Sequence, residues 1–128
     1  MDYKTAEKIL LSKPESFKDF PFGPDVAVFK VKGKMYATLS INNNVVNMNL
    51  KCDPDRAAAL RDVYEAVIPG YHMNKLHWNT IILDGSISKN EIKKMIDHSY
   101  ALVVKGLKKA EKNALLLAYS EEKLFKEL

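Results

Sequence analysis

The densest group of chemically capable side chains lies between Pro69 and Thr80, in the string PGYHMNKLHWNT. The asparagine side chains of this string can hydrogen-bond to base edges in DNA, its lysine can contact phosphate, and its aromatic rings can stack on bases. The same residues have a structural interpretation, in which Trp78 and Tyr71 pack the loop and the asparagines complete turns. The residue types are compatible with both.

Three histidines and one cysteine could hold a metal or act in catalysis. A zinc site needs three or four ligands at suitable spacing, and His72 and His77, five residues apart, do not supply it. We interpret His98 as a helix-surface or interface side chain, and Cys52 as a small buried residue at a strand end. Hydrolase, phosphate-loop, dinucleotide and metalloprotease motifs are absent from the sequence. We therefore expect no catalytic residue, no metal and no cofactor, which makes the protein non-enzymatic.

A second cluster comprises Lys30, Lys32 and Lys34 around Gly33. One interpretation is a solvated hairpin whose charges protect a sheet edge, and the residues alone favour it. The other is a basic projection that approaches phosphate, as a β-ribbon does in a DNA groove.

Length and composition limit the classes of protein to which this chain can belong. The 128 residues carry a net charge of +4 and 47% hydrophobic side chains, which indicates one domain with its own core. No apolar run approaches the roughly 18 residues of a membrane span, and the N-terminus does not have the pattern of a signal peptide. With a single cysteine there is no internal disulfide, so we expect a soluble cytoplasmic protein.

Strand patterns dominate the first half of the chain. Residues 17–25 predict an irregular loop because of Pro21, Gly23 and Pro24, with its phenylalanines closing one end of the core. Three strands then form an antiparallel meander between Val26 and Lys51. The central strand is expected to place Met35, Ala37, Leu39 and Ile41 on its apolar face and Tyr36, Thr38 and Ser40 on its polar face, which the third strand continues with Asn47, Asn49 and Lys51.

Helix signals surround these strands. Asp2 opens a first helix, Asp53-Pro54 a second, and the Ser88-x-x-Glu91 capping box a third that Gly106 can end in a left-handed conformation. Residues 67–68 and 77–83 predict two further strands. The order α-βββ-α-ββ-α predicts an α+β fold with a two-layer architecture, in which helices cover one face of a five-stranded antiparallel sheet. Residues 109–128 predict a helical extension that packs on its own domain or across a homodimer.

Four pieces of the sequence together resemble the MmcQ/YjbR family of small bacterial proteins. They are PFGPDVAVFKVKGKM (21–35), NLKCDP (49–54), VIPGYHMNKLHWNTIILDG (67–85) and DHSYALV (97–103). The resemblance covers about residues 1–108, which we take as the domain. It implies a frataxin (CyaY)-like or secretion-chaperone-like fold, consistent with the element order. The first helix mixes basic with acidic residues, so iron binding by analogy with frataxin is not expected.

The resemblance also implies DNA binding through a double wing of two hairpin-like projections. The first wing would comprise Lys30, Lys32, Gly33 and Lys34, and the second His72, Asn74, Lys75, His77 and Trp78. The leading hypothesis is thus a DNA-binding protein that relies mainly on phosphate contacts. The alternatives are a protein-interaction module that uses the polar sheet face around Trp78, and a small-ligand binder at the same segment.

Overall fold

A computed structural model describes residues 1–71 and 73–128, which contain five helices and six strands. The strands form one antiparallel sheet in the order β1-β2-β3-β4-β6-β5. The elements are α1 (Tyr3–Leu11), β1 (Phe17–Asp19), β2 (Val26–Val31), β3 (Lys34–Asn42), β4 (Val45–Lys51), α2 (Pro54–Val63), β5 (Val67–Pro69), β6 (Trp78–Ile82), α3 (Lys89–Lys105), α4 (Lys109–Ala118) and α5 (Glu121–Leu124). The predicted α+β class is confirmed, and the strand count is six rather than five.

The additional strand is β1, which the sequence assigned to a loop. It has only three residues and pairs with β2 at the edge of the sheet. The expectation that the nearby phenylalanines close the core is wrong, because Phe17, Phe20 and Phe22 are 45%, 44% and 69% exposed. Phe17 lies opposite Lys30, on the sheet face that points away from the helices.

A β-bulge in β3 changes the predicted alternation. Phe29 pairs with Ala37 but Lys30 pairs with Met35, so Tyr36 is the extra residue of the bulged strand. Tyr36 is fully buried on the helix side, where its hydroxyl donates to the Leu10 carbonyl oxygen at 2.6 Å. The assignment of Tyr36 to the open face and of Met35 to the apolar face is therefore wrong.

The helices begin where the caps predict. The Asp2 side chain accepts the backbone N–H of Thr5 at 2.8 Å, and Asp53 and Ser88 cap α2 and α3 in the same way. Gly106 does end α3, but its φ of −85° is not left-handed.

The core lies between the sheet and the helices. Leu39, Met48 and Ile81 of the sheet pack in one buried cluster with residues of α1 and α3. Leu115 of α4 and Leu124 of α5 are fully buried in the same cluster. The C-terminal extension therefore packs on its own domain.

Candidate functional site

The first predicted projection is the tight turn between β2 and β3. Lys32 and Gly33 have φ values of 50° and 78°, both left-handed, as a two-residue hairpin turn of this type requires. Among the described residues, no atom would lie within 4 Å of a Cβ added at Gly33, so the role of this glycine is conformational freedom and not close packing.

The three lysines of this hairpin do not form one charged face. Lys30 Nζ lies 2.9 Å from Asp19 Oδ2, and Lys32 Nζ lies 3.0 Å from Glu15 Oε1. Lys34 is exposed and makes no ion pair within residues 1–71 and 73–128. Of the three hairpin lysines, Lys34 is therefore the one whose ammonium group is not already bound by a carboxylate of the described residues.

The second projection is the loop 70–77 between β5 and β6. Its base is closed by the Gly70 N–H, which donates to the Trp78 carbonyl oxygen at 2.9 Å. At its tip Asn74 Oδ1 accepts the N–H of Leu76 at 3.0 Å, so the Asn74 side chain serves the turn itself. Lys75 is exposed, and its Nζ lies 5.0 Å from the ring centroid of Tyr71. The predicted site residue His72 lies outside the described residues.

His77 joins the loop to β6 through its backbone. Its carbonyl oxygen accepts the N–H of Cys52 at 2.8 Å, which extends the pairing of β4 and β6 by one position. The side chain is half-buried. This hydrogen bond gives the His77 backbone a structural role in the pairing of β4 with β6.

Trp78 lies on the open face of the sheet. The neighbouring Asn79 points the other way, since its amide donates to the Ala57 carbonyl oxygen at 3.3 Å and accepts from Arg61 at 2.7 Å. Successive side chains alternate between faces, which assigns Trp78 to the face without helices. Only 9% of its surface is exposed, and Gly70 lies directly against it.

The middle of the open face is a ladder of polar side chains that bind one another. Asn49 donates to Thr38 Oγ1 at 2.9 Å and accepts a hydrogen bond from the Thr80 hydroxyl. These groups face one another across β3, β4 and β6. Because these side chains bind one another, they have few free donors for a ligand. A ligand would find more available polar groups at the edges of the open face.

Both projections leave the same end of the sheet. The β2–β3 turn, the last residue of β4 and the first residue of β6 all lie there, since the strands are antiparallel throughout. Three strand spacings separate the midlines of the two hairpins, about 14 Å at the usual spacing of about 4.8 Å. Lys51 pairs with Trp78 between them. The sequence placed Lys51 on the polar face, and the pairing of β4 with β6 adds that it lies beside Trp78.

His98 has a different position from the predicted one. It is 2% exposed, and its Nε2 accepts the N–H of Asp53 at 3.1 Å, which requires the proton to be on Nδ1. Nδ1 then donates to the Glu127 carbonyl oxygen at 2.7 Å. Burial lowers the pKa of His98 below its usual value. The surface interpretation of His98 is wrong, because its ring connects the cap of α2 to the C-terminal end of the chain.

Cys52 is buried, as predicted, and burial raises the pKa of its thiol to about 11. A thiol held protonated at neutral pH is a poor nucleophile. Within the described part of the chain, no group of three His, Cys, Asp or Glu residues is arranged to hold a metal ion. The same residues contain no helix long and apolar enough to cross a membrane.

Comparisons with known proteins identify the family of the chain. The YjbR family model matches residues 11–102. The Escherichia coli O157:H7 protein YbdF is 37% identical over 109 residues, which cover 85% of this chain and 89% of YbdF. YjbR of Escherichia coli K12 is 36% identical over 88 residues, which cover 69% of this chain and 74% of YjbR.

Solved structures show the same fold. The crystal structure of Deinococcus radiodurans protein DR2400, a DUF419 domain, aligns with a TM-score of 0.81 at 36% identity over 88% of this chain and 86% of that one. A crystal structure of a Pseudomonas syringae protein aligns with a TM-score of 0.71 at 32% identity over 80% of this chain and 98% of that one.

Proposed function

The chain belongs to the YjbR family, and from this premise we propose that it is a non-enzymatic, cytoplasmic DNA-binding protein. Its affinity comes largely from phosphate contacts, and it has little sequence preference. The contacts are made by the β2–β3 turn and the loop 70–77.

The observation that carries this proposal is the shared direction of the two projections. Their midlines are separated by about 14 Å, close to the roughly 12 Å width of the major groove of B-form DNA. Two projections at this separation match the phosphates on either side of one groove. Trp78 and its pairing partner Lys51 lie between the two projections, at the same end of the sheet.

The charges of the two projections support the same interpretation. Lys34 and Lys75 are exposed at their tips, and Lys51 is half-buried between them. Lys30 and Lys32 are held by carboxylates, but partly exposed ion pairs of this type contribute only about 0 to 1 kcal/mol. Phosphate can therefore replace these carboxylates at small cost.

The environments of Cys52 and His98 support a binding role. The Cys52 thiol is buried with a raised pKa, and both ring nitrogens of His98 are engaged by backbone groups. Neither side chain is available for acid–base or covalent chemistry on a ligand.

The test is the salt dependence of binding to a labelled DNA duplex, measured by fluorescence anisotropy. With about four lysines engaged, log affinity falls with log salt at a slope of roughly −3 to −4. Lys34→Ala and Lys75→Ala should each flatten the slope by about one unit. Lys32→Ala should flatten it less, since Glu15 already competes for that side chain.

A matched control removes the same charge from the opposite layer of the molecule. Lys94 lies on α3, where it pairs with Glu91 at 3.4 Å, and Lys94→Ala should leave the slope unchanged. The proposal is wrong if the protein does not bind duplex DNA at low salt. It is also wrong if Lys94→Ala weakens binding as much as Lys75→Ala does.

A second candidate, self-association at the β1 edge, is favoured by the exposed phenylalanines. Phe17, Phe20 and Phe22 are exposed apolar side chains in or next to β1, the edge strand that pairs with β2 on one side only. Two copies related by a two-fold axis would cover this surface and extend the sheet. Sedimentation at increasing concentration should show a dimer that Phe22→Ser weakens, and a monomer at all concentrations would exclude this candidate.

A further inference from the structure

A second basic surface lies on the helix layer, on the other side of the sheet from the open face. It is a groove of about 750 Å³ between α1, the first half of α3 and the C-terminal segment that includes Tyr119. The family match ends at residue 102, so the C-terminal wall lies outside the matched region.

The charge of this groove is strongly one-sided. Its lining has six lysines and only two carboxylates. Asp97 is bound by Lys13 at 2.6 Å, and Glu15 is bound at 3.0 Å by Lys32, which is not part of the lining. Both carboxylates are thus already neutralised.

Five exposed lysines of the lining make no ion pair within the described ranges. They come from three separate parts of the chain: Lys8, Lys89, Lys93, Lys123 and Lys126. Lys89 and Lys93 are one helical turn apart, a spacing at which like charges destabilise a helix. The fold therefore brings together charges that repel one another, and an anion in the groove would relieve this repulsion.

We propose that this groove binds a small polyphosphate anion. A chain of phosphates can contact several ammonium groups at once, and lysine is a common point-charge ligand for phosphate. The hydroxyls of Thr5 and Ser12 also line the groove. Its volume is in the range of small-molecule sites, roughly 300 to 1,000 Å³.

The polyphosphate could be free or part of a nucleotide. Tyr119 lines the same groove, and its ring offers a surface for stacking a base. Free polyphosphate and a nucleotide share a negatively charged phosphate chain, which is the group that the lysines would bind. The experiment below distinguishes the two ligands.

The experiment is calorimetric titration of the full chain with tripolyphosphate, orthophosphate and ATP at low and physiological salt. Tripolyphosphate should bind more tightly than orthophosphate, because more lysines contact it. The double variant Lys93→Ala/Lys123→Ala should weaken tripolyphosphate binding by roughly tenfold per lysine. Both side chains are exposed, so circular dichroism and thermal unfolding should show an intact fold.

The control is the double variant Lys34→Ala/Lys75→Ala, which removes the same charge from the two DNA-directed projections. It should leave tripolyphosphate affinity unchanged and weaken duplex DNA binding. The groove variant should do the opposite, so the two proposals fail separately. Equal losses in both variants, or no tripolyphosphate binding, would overturn the groove proposal.

Two further outcomes identify the ligand. Tighter binding of ATP than of tripolyphosphate, with the difference removed by Tyr119→Ala, assigns the groove to nucleotides, and equal affinities assign it to the phosphate chain alone. Displacement of tripolyphosphate by duplex DNA, with loss of DNA binding in the groove variant, would overturn the proposal in favour of a nucleic-acid surface.

Discussion

Gly70→Ala should destabilise the protein and disturb Trp78 specifically. A Cβ at position 70 would lie 3.0 Å from the Trp78 Cβ and 3.1 Å from its carbonyl oxygen. Neither atom can rotate away, because the Gly70 N–H donates to that oxygen at 2.9 Å and fixes the two strands together. Overpacking of this kind costs about 1 to 3 kcal/mol.

Trp78 is the sole tryptophan, so its fluorescence reports this contact directly. Urea unfolding followed by circular dichroism gives the loss in unfolding free energy. The emission maximum gives the change around the indole, which is 9% exposed in the native protein. We expect a shift to longer wavelength, because the strands must separate at Gly70 and admit water to the ring.

Gly33→Ala is the matched control. Gly33 has a φ of 78°, and no atom of the residues that the structure describes lies within 4 Å of an added Cβ. The substitution should therefore lower the unfolding free energy only through backbone conformation, by about 1 to 2 kcal/mol. Trp78 emission should not change in this variant. The reasoning about Gly70 is refuted if Gly70→Ala unfolds within about 0.5 kcal/mol of the wild type with an unchanged emission maximum.

Three further predictions concern the interior. Ser99→Ala should cost about 2 to 4 kcal/mol in urea unfolding, because its buried hydroxyl bridges two backbone groups of the sheet at 2.9 and 2.6 Å; a loss below about 1 kcal/mol would contradict this role. Leu115→Ala should cost about 2 to 5 kcal/mol, whereas Leu117→Ala, 91% exposed on the same helix, should be nearly neutral; equal effects would show that α4 does not pack on the core. The pKa of His98 is lowered on folding, so its contribution to the unfolding free energy is complete above the unfolded value of 6.5 and is lost as pH falls through the folded pKa. His98→Gln should lose less unfolding free energy than the wild type as the pH falls through this range. Identical pH profiles of the unfolding free energy would refute a lowered pKa of His98.

Elements whose signals are local could be predicted from the amino-acid sequence. Asp2, Asp53 and Ser88 each cap a helix where predicted, because a cap needs only residues within one turn. The alternation of β4, with Met48 buried and Asn49 on the open face, was predicted for the same reason. The family resemblance rested on contiguous strings and was confirmed.

Features that depend on pairing between distant residues could not be predicted from the sequence. The bulge that buries Tyr36 depends on the register of β2 against β3, and the burial of His98 depends on Asp53 and Glu127. The direction of Trp78 followed from the pairing of β4 with β6. The lysine groove joins α1 and α3 to the C-terminal segment. Sequence spacing contains no information about such contacts, because register and packing are set by the whole fold.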